Sequence, residues 1–135
     1  MLRAVYPGTF DPLTPGHLDI ADRARRVTDH LTLLVAVNSA KHPARAEAER
    51  AVAVRAALPP GWGDVDVVAW AGLTATYCHE HGIDVIVRGV RNAQDIRHEQ
   101  ELAAMNESLG VSTLLLAARP ALAAVSSTAV RALGL

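Results

Sequence analysis

A Rossmann-like α/β fold, one open parallel five-stranded sheet with helices on both faces, is predicted by three features of the 135-residue sequence. Short apolar runs alternate with helical stretches along the whole chain, the pattern of a parallel sheet built by right-handed crossovers. The runs are nearly solid rather than alternating apolar and polar, as strands covered on both faces are. Glycine, proline and basic residues gather just after the runs, where open α/β sheets bind their ligands.

The strands are expected at residues 2–6, 31–37, 65–70, 84–87 and 113–117. Between them, 18–28, 47–58, 73–81 and 94–109 carry the spacing and Ala/Glu/Arg content of amphipathic helices, with a last turn or two at 127–133. Pro59-Pro60-Gly61 marks a firm turn after the second helix. No linker or repeat divides the chain, and its length suits one domain over 1–135.

Composition excludes several classes of function. Thirteen basic residues against 14 acidic ones leave a formal charge of −1, so nucleic-acid affinity resting on net positive charge is not expected. A single cysteine, Cys78, permits no internal disulfide and no multi-cysteine metal site, which points to a reducing compartment. No segment approaches the roughly 20 apolar residues of a membrane span, and a soluble, cytoplasmic protein is expected. Of the 13 basic residues, Lys41 alone is lysine. In a chain that otherwise uses arginine, it marks either chance or a position that needs a compact ammonium.

Four loops after strands carry polar or basic residues of phosphate-binding type: 7–17, 38–43, 88–91 and 119–128. In the first, YPGTFDPLTPGH, Gly8 and Gly16 permit close backbone approach, and a helix beginning near His17 turns its positive end into the mouth of the sheet. The Lys-Ser/Thr of a P-loop and the glycine spacing of a dinucleotide fingerprint are both missing. In the third loop, Arg88 and Arg91 flank Gly89 and either aim two guanidinium groups into one crevice or cap Asp95 and Glu99 of the next helix. His30, His79 and His81 fall at helix ends or turns, where carbonyl contacts are expected rather than metal binding. Cys78, Trp62 and Trp70 are expected to be packing residues.

The string GTFDPLTPGH at 8–17, with Lys41, the cluster Arg88-Gly89-Val90-Arg91 and Ser126-Ser127-Thr128, resembles the bacterial-type phosphopantetheine adenylyltransferases. These belong to the nucleotidylyltransferases that carry the (H/T)xGH motif. The resemblance runs in register over nearly the whole chain, through Glu49-Arg50 and Met105-Asn106. It implies transfer of AMP from ATP to 4′-phosphopantetheine, with dephospho-coenzyme A and pyrophosphate as products, Mg2+ accompanying the nucleotide, and a homo-oligomer, in the family a hexamer.

Position by position, it implies that Thr9, His17, Lys41 and Arg91 form the catalytic set. Thr9, Lys41, Thr74 and Arg88 would hold phosphopantetheine. ATP would lie against Thr9, Phe10, His17, Gly89, Val90, Arg91, Glu99 and the stretch Leu122, Ala123, Ala124, Val125, Ser126, Ser127 and Thr128. The chemistry agrees with this set: a phosphate monoester is already a nucleophile, so alignment and charge neutralisation suffice and no carboxylate base is required. The chain departs from the family pattern at Arg45-Ala46, His98, Leu122 and Ala124, and it stops at Leu135, before the family's usual carboxyl-terminal helices. These departures leave two alternatives open: another nucleotide and acceptor, such as CTP with a polyol phosphate, or a nucleotide-binding module without turnover.

Overall fold

The computed structural model describes residues 1–36 and 46–119. In chain order the elements are β1 (Arg3–Gly8), α1 (Pro15–Val27), β2 (His30–Ala36), α2 (Glu47–Ala57), β3 (Val65–Trp70), α3 (Thr74–His81), β4 (Val85–Val90), α4 (Ala93–Ser108) and β5 (Ser112–Ala117). All strand pairs are parallel, in the order β3-β2-β1-β4-β5. The chain steps outward from β1 to β3, then returns past β1 to lay down β4 and β5. The order therefore reverses between β1 and β4, the place where such sheets open a ligand crevice.

Strand alternation divides the core into two layers. Ala4, Tyr6, Leu31, Leu33, Val35, Val65 and Val67 pack against Ile20, Ala21 and Ala24 of α1 and Ala51 and Val54 of α2. Val5, Leu34 and Ile86 face the other way, onto Ala75, Tyr77 and Cys78 of α3. Cys78 is buried, and burial pushes its thiol up to about 11. Trp62 is a core residue, covered by the Arg25 guanidinium 4.6 Å from its ring centroid. Trp70 packs edge-on to Tyr77 at 5.3 Å and donates its indole N–H to the Leu73 carbonyl at 2.9 Å.

The expected elements are all present within the described residues, with shifts that matter at the site. Strand β1 does not end at Tyr6 but continues through Pro7 and Gly8, because Pro7 pairs with Leu34 and Gly8 with Val35 of β2. Pairing with β4 runs through Ala4 and Val5, so Pro7, which has no N–H to give, sits where β1 has already parted from β4. Strand β4 extends past Val87 to Val90, with Arg88, Gly89 and Val90 paired to Leu115, Leu116 and Ala117 of β5. Arg88 and Gly89 therefore lie in a strand and not in the loop after it. The turn expected at 127–133 lies outside the described residues.

Gly8 is needed for a close approach made from within the protein: a Cβ there would lie 2.8 Å from the Phe10 ring. Gly8→Ala is expected to lower stability by about 1–3 kcal/mol, since the ring is rigid and must be displaced. The change should appear in thermal melts as a midpoint lower by roughly 4–11 °C.

Candidate active site

The loop from β1 to α1 is organised by its own side chains. Thr14 caps α1, accepting from the His17 N–H at 3.2 Å, while His17 Nδ1 accepts from the Thr14 N–H at 3.0 Å. This is a reciprocal capping box with Pro15 as the first helical residue. Because Nδ1 is an acceptor, the neutral imidazole carries its proton on Nε2. Helix α1 therefore begins three residues earlier than expected, at Pro15, and His17 lies in its first turn beside the main-chain N–H groups.

Phe10 precedes this cap with φ +48°, the left-handed region, where among the described residues no other non-glycine lies. Its buried ring stands edge-on to Tyr6 at 5.3 Å and to His17 at 5.0 Å, centroid to centroid. The Phe10 side chain is consumed by packing, so what this residue presents to a ligand is main chain. Tyr6 beneath it is buried, and that burial pushes its phenol far above the ordinary value, with Arg88 opposing and Glu99 and Asp19 adding to the rise. It is a neutral packing group.

Across the crevice, Arg88 donates from Nε and Nη2 to the two Glu99 oxygens, each at 2.8 Å, and from Nη1 to the Pro7 carbonyl at 2.8 Å. One side chain thus joins β4, α4 and the free stretch of β1, and it gives the Pro7 carbonyl a donor where β1 has parted from β4. Burial works against the Arg88 charge, yet the Glu99 carboxylate more than offsets it and raises the pKa. Three of five N–H donors are used, and each Nη still carries a second hydrogen. Arg91 is more exposed. Its Nε and its main-chain N–H both donate to Asp95 at 3.0 Å. Burial opposes the Asp95 charge, but the Arg91 bonds prevail and hold its carboxyl below the usual range. The capping alternative is therefore the observed geometry for both arginines, and it holds them at the rim without exhausting their donors.

Gly89 lies under α1, where a Cβ would come within 3.0 Å of Ile20 Cγ1. Val90 is buried, and its carbonyl accepts from the Ala118 N–H at 2.7 Å. Glu99 is buried with both oxygens on Arg88. Thr74 opens α3 beyond the carboxyl end of β3, on the same rim of the sheet but two strands from β1. The structure thus gathers Thr9, Phe10, His17, Arg88, Gly89, Val90, Arg91 and Glu99 around the β1/β4 crevice. Lys41 and Leu122 to Thr128 lie outside the described residues.

Sequence reasoning missed a second set of polar residues. The Asp19 carboxylate binds both Arg23 and Arg119 at 2.9 Å, and Arg23 Nη2 also reaches the Ala117 carbonyl at 2.6 Å, tying α1 to the end of β5. Asp19-x-x-x-Arg23 is an i, i+4 helix pair visible in the sequence, but its long-range partners are not. Of the histidines, His79 and His81 bond to the carbonyls of Leu109 and Tyr77 as expected. His30 differs. It opens β2 and bonds the Asp66 carboxylate at 2.9 Å, because strand pairing brings Thr32 opposite Asp66. Among the described residues, no three His, Cys, Asp or Glu side chains gather as a dedicated metal site would require, and no helix is long and apolar enough to cross a membrane.

The chain, with its reversed-order parallel sheet, belongs to the cytidylyltransferase-like family, whose model matches residues 5–133. Within that class it is a member of the phosphopantetheine adenylyltransferases. It is 45% identical over 130 residues to the phosphopantetheine adenylyltransferase of Thioalkalivibrio sulfidiphilus, covering 95% of this chain and 81% of that protein. It is 41% identical over 133 residues to that of Lactiplantibacillus plantarum, covering 97% and 81%. Its fold matches the solved structure of a lipopolysaccharide core biosynthesis protein from Thermoplasma volcanium, with a TM-score of 0.62 at 24% identity over 88% of this chain and 97% of that one.

Removing the Glu99 carboxylate strands the Arg88 charge. Glu99→Ala is expected to cost about 2–3 kcal/mol, the low end for breaking a buried pair because Arg88 remains 28% exposed. Urea unfolding measures the loss.

Proposed function

We infer that this chain transfers the adenylyl group of ATP to 4′-phosphopantetheine, releasing pyrophosphate and forming dephospho-coenzyme A. The observation that carries the reading is the β1/β4 crevice itself. A capped helix start bearing His17 faces a strand bearing a fixed Arg88, in a chain 45% identical to a protein named for this activity.

In the reaction, a phosphate oxygen of the acceptor attacks the α-phosphorus of ATP as the bond from that phosphorus to the bridging β-phosphate oxygen breaks. No proton need be removed first, so the protein supplies alignment and positive charge. His17 donates from Nε2 to the α-phosphate as charge grows there, its ring fixed by the Nδ1 bond to Thr14. Thr9 contacts both substrates, and Phe10 offers its main chain to ATP. Lys41, Thr74 and Arg88 take the acceptor; Gly89, Val90, Arg91 and residues 122–128 take ATP. Glu99 serves this site by holding Arg88 in place.

Mg2+ arrives with ATP. Bound there, such an ion would supply positive charge for the departing pyrophosphate. A cytoplasmic setting and small-molecule partners rather than nucleic acid, supported by the single cysteine and the charge balance, complete the proposal, together with the homohexamer that the family resemblance implies. Pyrophosphate release with ATP or CTP and a panel of phosphorylated acceptors tests the reading. Turnover confined to CTP with a polyol phosphate, or no turnover, overturns it.

His17 both caps a helix and faces the chemistry, and one substitution separates the two. Glutamine at the third helical position preserves a capping box, so His17→Gln should melt within a few degrees of the parent while kcat falls about 10²-fold and ATP affinity holds. Near-normal kcat in that variant makes His17 a cap alone. For Lys41, the Lys41→Arg variant restores charge but not geometry. It should recover only part of the activity lost in Lys41→Ala, with ATP affinity unchanged in both, as measured by steady-state kinetics and calorimetry.

A further inference from the structure

Arg50, on the first turn of α2, is 1% exposed and is the bulkiest of the fully buried side chains among the described residues. Its Nη1 donates to the Thr9 carbonyl at 2.6 Å and to the Ala36 carbonyl at 3.3 Å. A single guanidinium nitrogen thus bridges the carboxyl ends of β1 and β2. Burying a guanidinium is unfavourable unless its donors are satisfied, and an aliphatic side chain would fill the same space without that requirement. Two of its contacts are main-chain carbonyls at one rim of the sheet.

The Thr9 carbonyl belongs to the peptide leading into Phe10, whose φ of +48° is sustained only if its surroundings hold it. Packing of the Phe10 ring over Gly8 holds one side of that peptide. Arg50 holds the other. We propose that Arg50 is a positioning residue for adenylyl transfer, which sets the Thr9–Phe10 peptide, and through it the Thr9 hydroxyl, against the substrates. The inference rests on the reading of Thr9 as a substrate contact.

The test is a double-mutant cycle on the whole chain, with Thr9→Ala, Arg50→Lys, Arg50→Gln and the corresponding double variants. Circular dichroism and thermal melts select the Arg50 variant that folds. Positioning predicts that this variant loses about tenfold or more in kcat while its KM for ATP stays within about threefold. It also predicts that Thr9→Ala costs at least about fivefold less in the Arg50 background than in the parent, since a misplaced hydroxyl has little left to lose. Additive effects, kcat within about twofold of the parent, or failure of both Arg50 variants to fold make Arg50 a structural tie and overturn the inference. Parental kcat in Thr9→Ala alone instead removes Thr9 from the site, so failure of the functional reading is told apart from failure of the inference.

Discussion

The divergence of β1 from β4 is the constraint from which the rest of the site follows. Parallel pairing between them passes through Val5 and Ile86, and beyond it Pro7 has no N–H to continue the ladder. A carbonyl is thereby stranded at the point where the sheet reverses its order, and Arg88 takes it at 2.8 Å. Arg88 can do so because Glu99 fixes the other edge of its guanidinium bidentately. The crevice is thus a gap in backbone pairing held open by a side chain that is itself a candidate anion ligand. Tyr6, neutral and buried nearby, keeps water from the apolar side of that arrangement.

The same economy governs α1. Its amino terminus is aimed at the crevice by contacts along its length: Ile20 over Gly89, Asp19 on Arg119, Arg23 on the Ala117 carbonyl. Each joins α1 to β4 or to the end of β5, the half of the sheet across the crevice from β2 and β3. A helix dipole acts only over its first turn, so its value to a phosphate depends on such placement. The capping box adds the last increment by placing His17 in that turn with its proton on the outer nitrogen.

Much of this was legible in the sequence because it rests on local patterns. Solid apolar runs marked the strands, and a helix start was legible near His17, although three residues late because the Thr14–His17 capping box was not read. Strand ends were less legible: β1 and β4 each run further than polarity suggests, since Gly8 and Arg88 to Val90 are kept in strands by ladders to β2 and β5 that no local signal encodes. Long-range polar bonds were invisible for the same reason. Arg50 to the Thr9 carbonyl joins residues 41 positions apart, and Arg88 to the Pro7 carbonyl joins residues 81 apart. Phe10 stands in a glycine- and proline-rich loop with no local signal of burial, yet it is 1% exposed, because only the fold brings Tyr6, Gly8 and His17 around it.

Pairing the site's cations with carboxylates looks at first like a loss of binding strength, since Glu99 and Asp95 repel an incoming polyphosphate. The two pairs differ in a way that resolves this. Arg88 is locked by three bonds, one to main chain, and Glu99 beside it is buried, so its position is set before any ligand arrives. Arg91 sits on an exposed i, i+4 pair with Asp95, an interaction typically worth under about 1 kcal/mol, and can exchange its partner for phosphate at small cost. A transfer between two anions needs both kinds of cation. In the proposed reaction the rigid one would fix the attacking geometry, where a misplacement of about 1 Å costs about two orders of magnitude in rate. The adaptable one would follow charge as it moves from substrate to leaving group. Carboxylates are thus the means by which a site of like charges keeps its guanidinium groups apart and aimed in the absence of substrate.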